Sequence, residues 1–159
     1  MNTKFTQYSK VNSIIENLLE GLTNVFKEDL VGIYLSGSVV WGGFDEASDI
    51  DFMVATKKNI DKQQFEALDA LHQDLGKVFP SFQGRLEILY SSIEGLQKFR
   101  KESCPLSVIS PGEPFHTIKN GMDWLISWYL MQEQSISLFG PDAKTIIPPI
   151  SQKDFLWSG

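Results

Sequence analysis

A single cysteine, Cys104, leaves no partner for an intramolecular disulfide and excludes any multi-cysteine zinc site. Histidine is nearly as scarce. His72 and His116 are the only two, far apart along the chain, so a zinc cluster is not expected. No stretch of roughly 18 or more apolar residues occurs, and Met1-Asn2-Thr3-Lys4 lacks the apolar core of a signal peptide. Basic charge is also short: 14 Lys and Arg stand against 20 Asp and Glu, a net charge of −6 at pH 7. A protein that grips duplex nucleic acid normally carries a basic stripe, and here Lys57-Lys58 and Arg100-Lys101 are isolated pairs. These absences lead us to expect a cytoplasmic protein without membrane or duplex nucleic-acid partners. Its partner is expected to be a small molecule or a protein.

What is present is an ordinary globular composition, 42% apolar and 21% charged over 159 residues, enough for one domain with a real core. Val11, Ile14, Ile15, Leu18, Leu19, Leu22, Val25 and Phe26 recur at helical spacing, which predicts a helix from about Lys10 to Phe26, with Gly21 off its apolar stripe. Leu30 to Ser36 reads as a buried strand, and Asp49 to Ala55 as the next. A helix capped by Asn59 or Asp61 follows, with Phe65, Leu68, Leu71, Leu75, Val78 and Phe79 on one face and Gly76 and Pro80 at its end. His72 adjoins that stripe and reads as a core-edge histidine. Gly84 to Tyr90 is the third strand, Ser92 caps a short helix, and Leu106 to Ile109 is a further short strand. Ser110 to Pro114 is rich in breakers and predicts a loop, with His116 beyond it on the surface. Asn120 or Gly121 opens a helix with Met122, Leu125, Ile126, Tyr129 and Leu130 on one face and Trp124, Trp128 and Met131 on a neighbouring one.

The chemistry concentrates at two places. Asp49 and Asp51 lie two apart on a strand and so share one face, while Ile50 and Phe52 share the other. Packing gives no reason to set two like charges side by side. They resist ionisation together unless a cation sits between them, and hard oxygen ligands of this kind suit Mg²⁺. The second place is Gly37-Ser38, where glycine lets the backbone bend and Ser38 is a candidate helix cap whose turn offers N–H groups to a phosphate. A capped surface helix with two solvated acids is the plainer alternative. Glu87 is a carboxylate within the otherwise apolar Leu86-Glu87-Ile88-Leu89. It either joins the two aspartates from a neighbouring strand or pairs with Arg85 or a lysine. Trp41 either packs beneath the Gly-Ser turn or flanks a ligand.

Gly37-Ser38 followed by Asp49-Ile50-Asp51 resembles the signature of the polymerase-beta-like nucleotidyltransferase superfamily. Ile33 to Gly43, Ser48 to Phe52 and Ser135 to Pro141 together resemble the aminoglycoside (streptomycin/spectinomycin) adenylyltransferases. The resemblance implies an α/β (α+β) fold, a mixed sheet flanked by helices, over residues 1–150. It implies transfer of AMP from ATP to a hydroxyl of a small acceptor, with Mg²⁺, two ions in all, held by Asp49, Asp51 and Glu87. Glu87 would accept the acceptor's proton. Gly37, Ser38 and Ser48 would contact the nucleotide, although Ser48 reads equally as a cap at the start of its strand. Asp123, by its distance from Gly140-Pro141, matches an aspartate near the nucleotide; its place in a first helical turn is the plainer reading.

Family members continue into a carboxy-terminal helical domain. Here Ile146 to Ile150 reads as an extended linker, and Ser151 to Asp154, like a capping box, opens a helix that is short at 151–159. The expectation is therefore a truncated domain, or a subunit whose Trp124/Trp128 and Phe155/Trp157 surfaces meet another chain, a second copy included. Two further functions stay open: a minimal module that binds or modifies a helical protein partner of the toxin–antitoxin type, and a remnant that binds nucleotide without turnover.

Overall fold

Both sheet-forming strands nearest the centre are apolar almost throughout, which requires cover on both faces. The computed structural model, which describes residues 5–45, 48–151 and 153–154, supplies it. In chain order the elements are α1 (Ser9–Phe26), β1 (Leu30–Ser36), α2 (Ser38–Trp41), β2 (Ile50–Thr56), α3 (Lys62–Val78), β3 (Leu86–Ser92), α4 (Ile93–Lys98), β4 (Cys104–Ser110), β5 (Glu113–Asn120), α5 (Leu125–Gln134), β6 (Ile136–Phe139) and α6 (Ala143–Ile146). Six strands form one sheet in the order β5-β4-β3-β2-β1-β6. Every pairing is antiparallel except β2 with β3, and α3 is the crossover that a parallel pair demands.

Alternation sorts the side chains. Ile33, Leu35, Phe52, Val54, Ile88 and Tyr90 face α1 and α3 and form one core with Val11, Ile14, Ile15, Leu18, Leu22, Leu68 and Leu75. Tyr34, Met53, Ala55, Leu89, Leu106 and Val108 face the other way, against Leu96, Leu125, Trp128, Met131, Ile146 and Ile147. The predicted α1 and β1 appear as expected. Asp61 caps α3 through a full capping box with Gln64 (Gln64 N–H to Asp61 Oδ1, 2.7 Å), and Ser92 caps α4. His72 is buried, 2.8 Å from the Tyr90 hydroxyl, and burial holds its pKa down at about 4, so it is neutral.

Several expectations are corrected. Gly21, expected off the apolar stripe, faces α3: a Cβ there would meet Leu71 Cδ1 at 2.5 Å. Val78 points to solvent. The expected loop at 110–114 is a tight reversal into β5, where Ser110 pairs with Glu113 and Val108 with His116. Pro114 and the half-exposed alternation of an edge strand hid it. The inward face of α5 is Leu125, Trp128, Met131 and Gln132, whereas Met122, Ile126 and Leu130 are exposed. Trp128 is fully buried, its indole N–H donating to Asn120 Oδ1 (2.8 Å), so it offers no surface to another chain. Residues Ile146 to Ile150 are not a free linker. Ile146, Ile147 and Ile150 are buried, and Gln132 holds the carbonyls of Ile147 and Pro148 and the amide of Ile150. At Ser151–Asp154 the Ser151 N–H donates to Asp154 Oδ2 (2.7 Å), and Asp154 pairs with Arg100 at 3.1 Å. Phe155 and Trp157, and the side chain of Trp41, lie outside the described residues. No helix among the described residues is long and apolar enough to cross a membrane.

Candidate active site

The parallel β2/β3 ladder sets Ile50 opposite Leu86 and Asp51 opposite Glu87. Directly opposed residues on adjacent strands project to the same face. On the other side of β2, Ser36 at the end of β1 is opposite Asp51. Asp49 precedes β2 by one residue, on the face shared with Asp51. The three acids thus gather at the amino-terminal end of the parallel pair, on the face that carries Met53 and Leu89 further along.

Their electrostatics agree with this placement. Asp51 is pushed up to about 6, by burial first and by Asp49 second. Glu87 is raised by burial, then by Asp51 and Asp49. Among the described residues no ion pair engages any of the three, so nothing basic offsets their mutual repulsion. The salt bridge weighed for Glu87 is absent: Arg85 donates instead to the carbonyls of Asp45, Ser48 and Ser81.

The Gly-Ser turn closes over this end. Gly37 has φ 91°, open to glycine, and a Cβ there would meet Asp51 Oδ2 at 2.7 Å. No side chain fits between turn and carboxylate. Gly37, not Ser38, is the capping position of α2. Ser38 is the first helical residue and is half-buried. Gly42 ends the helix with φ 106°. Ser48 is turned into its own loop, its Oγ accepting from Asp45 N–H (3.0 Å) and donating to Asp45 Oδ1 (3.1 Å).

Asp123 is not part of this gathering. Ile109 of β4 pairs with Ile88 near the acids, whereas Cys104, at the other end of β4, pairs with Asn120. The 3-10 turn that holds Asp123 follows Asn120 directly and lies at the far end of the sheet. Spacing from Gly140 could not show this, because α5 runs back along the sheet between the two. Arg85, expected only as a partner for Glu87, meets backbone carbonyls instead, which leave no signal in side-chain identity.

Carboxylate oxygens such as those of Asp49 and Asp51 are hard donors, of the chemical kind that Mg²⁺ prefers. Among the described residues no group of three or more acidic, histidine or cysteine side chains is placed to hold a metal ion by itself. The arrangement is open, and an open carboxylate pair fits an ion that completes its shell with water and phosphate oxygens. A separate hollow of about 430 Å³, lined by His72, Phe82, Leu86, Ile88, Ile109 and Phe115, lies on the opposite sheet face and contains none of the acids.

No curated protein sequence matches the chain. Among solved structures, spectinomycin adenyltransferase AAD(9) from Enterococcus faecialis, with ATP and spectinomycin, is similar with a TM-score of 0.74 at 19% identity. The match covers 89% of this chain and 61% of that one, so the chain spans less than two thirds of that enzyme's length. A tri-AMPylated Shewanella oneidensis HEPN toxin in complex with MNT antitoxin is similar at 16% identity and a TM-score of 0.42, over 84% of this chain and 75% of that one. The family model for the nucleotidyltransferase domain matches residues 15–117, from within α1 into β5, and so takes in the Gly37 turn and all three acids. With well over half of its length matched, and with the mixed sheet and acid placement described above, the chain belongs to the nucleotidyltransferase domain family.

Proposed function

We propose that the chain transfers AMP from ATP to a hydroxyl of a small, aminoglycoside-like acceptor, using Asp49, Asp51 and Glu87. The observation that carries this reading is the in-register pairing of Asp51 with Glu87, beside Asp49 and beneath the Gly37 turn, with no basic partner among the described residues.

Glu87 is the group suited to accept a proton. It is partly buried, raised by burial and by two neighbouring acids, and free of any ion pair among the described residues, so its basicity is greater than that of a solvated glutamate. In the reaction the acceptor's O–H proton moves to Glu87. The oxygen forms a bond to the α-phosphorus, and the bond from that phosphorus to the pyrophosphate oxygen breaks. Asp49 and Asp51 would hold Mg²⁺, with Glu87 sharing a second ion, and bound magnesium supplies neutralisation of triphosphate charge. The backbone N–H groups of the Gly37-Ser38 turn would meet the phosphates, and the absent Cβ at Gly37 lets that turn lie against Asp51. The work of the protein is positioning and charge compensation; no covalent intermediate on the enzyme is needed. Ser48, engaged with Asp45, contributes by shaping the loop before Asp49 and reaches phosphate only if that bond opens.

The test is AMP transfer from α-labelled ATP with Mg²⁺ to a panel of aminocyclitols, spectinomycin among them. Transfer that is lost in Asp49→Asn and Glu87→Gln supports the reading. ATP binding without transfer to any acceptor identifies a nucleotide-binding remnant instead, and label appearing on a helical protein identifies the partner-modifying module.

A further inference from the structure

We propose that Arg85 is a positioning residue that fixes the backbone on both sides of Asp49 and so keeps this carboxylate beside Asp51 and Glu87. The inference rests on the function proposed above and adds a residue to it.

Asp49 is the least secured of the three acids. It lies outside β2, which begins at Ile50, and it is exposed. Repulsion from Asp51 and Glu87 pushes it outward. Ser48 braces the loop before it through Asp45, and Arg85 opposes that push from both sides of Asp49. The backbone carbonyl of Arg85 accepts the Ile50 N–H at 2.8 Å, immediately after Asp49. The side chain takes the carbonyl of Ser48, immediately before it, with Nε at 2.9 Å and Nη2 at 2.7 Å. Nη2 also donates to Asp45 O (2.9 Å) and Nη1 to Ser81 O (3.2 Å), so the guanidinium spans the loop and the turn that leads into β3. Its carbon lies 4.5 Å from the centre of the Phe82 ring and 5.7 Å from that of Phe44, which hold the group between two aromatic faces.

Arg85 therefore acts through the chain and not as a counter-charge. Its donors go to carbonyl oxygens, while burial and Asp49 raise Asp51, and burial, Asp51 and Asp49 raise Glu87. The geometry also explains arginine over lysine. Two N–H groups on one carbonyl, further donors to two others, and a flat face against Phe82 are features of a guanidinium that an ammonium lacks.

Binding of Mn²⁺ to the full chain, titrated by the loss of the free-ion paramagnetic resonance signal, tests this without reference to turnover. Arg85→Lys and Arg85→Ala are compared with Asp61→Ala, which removes the cap of α3 away from the site and controls for general destabilisation. The expected result is a loss of affinity of about tenfold or more in both Arg85 variants, as for other residues that orient metal ligands, and none in Asp61→Ala. Faster amide exchange at Ser48 should accompany it. Unchanged Mn²⁺ affinity in Arg85→Lys overturns the inference, as does an equal loss in Asp61→Ala. If Arg85→Ala does not fold, Arg85→Lys decides alone. A wild-type chain that binds no Mn²⁺ overturns the metal reading of the site itself; the Ser48 amide then decides whether Arg85 holds the loop, and unchanged exchange in Arg85→Lys refutes it.

Discussion

Replacing Asp51 with asparagine should stabilise this protein while removing its activity. The folded carboxyl titrates near 6, against an ordinary value of 3.8, because it is partly buried and faces Asp49. Two units correspond to roughly 3 kcal/mol for a fully dry group. This carboxylate still meets solvent, which screens the repulsion, so about 1–2 kcal/mol is the expected gain at pH 8. For a chain of this size that is a rise in Tm of roughly 3–6 °C. The pH dependence has a definite sign. Between 3.8 and 6 the folded state holds a proton that the unfolded state has released, so acidification through this window stabilises the wild type. The advantage of Asp51→Asn should be full above pH 6 and gone below 3.8. Thermal unfolding followed by circular dichroism at pH 8 and at pH 4, on both proteins, reads the effect directly. Added Mg²⁺ at pH 8 should lift the wild type towards the variant and leave the variant unmoved. A variant no more stable than wild type at pH 8 would refute the claim that uncompensated charge is built into this end of the sheet.

Glu87→Gln should fold normally, with an unchanged or higher Tm, and lose AMP transfer by at least about a hundredfold, the scale of a missing general base, in the labelled-ATP assay. His72 works against Asp51. Held near 4 against 6.5, it contributes stability that is complete above pH 6.5 and is lost as the pH falls towards 4, about 3 kcal/mol in all. Urea midpoints of Asp51→Asn at pH 7.5 and 4.5 should expose this loss, and His72→Gln in the same background should flatten it. Gly140→Ala should cost roughly 2–4 kcal/mol, because φ is 86° and a Cβ would run into the Val31 carbonyl; amide exchange should show β6 released from β1. Asn120→Ala should cost about 1–3 kcal/mol in chemical denaturation, since it strands the Trp128 indole N–H in the interior; the Gly95 carbonyl, which Asn120 also meets, keeps the Phe99 N–H.

How much of this was legible beforehand follows from where the information resides. α1 and α3 were readable from long, one-sided apolar patterns, and β1 from a short apolar run buried on both faces; Gly37 after β1, Asp61 before α3 and Pro80 beyond its end marked boundaries. The acid cluster was readable because charge in a buried strand has few explanations. β5 and β6 were missed because edge strands are half-solvated and need no strong pattern; their partners, β4 and β1, decide that they are strands. The face of α5 was misassigned for a related reason. Ile126 and Leu130 are as apolar as Leu125 and Met131, so composition could not choose a side, and the Asn120–Trp128 hydrogen bond did. Asp123 was drawn towards the site by spacing along the chain, which carries no information about which end of the sheet a turn occupies. Arg85 was invisible as a clamp because its partners are backbone carbonyls, which have no signature in side-chain identity.

The side-by-side run of β2 and β3 has an implication for how such a chain tolerates change. Asp51 and Glu87 meet because two ladders of amides keep step, so insertions or deletions within the connecting helix leave their meeting intact provided that its ends stay put. One residue added between Arg85 and Glu87 would instead rotate every following side chain to the reverse face and deliver the glutamate into oil. Length can drift in the crossover; parity ahead of the glutamate cannot.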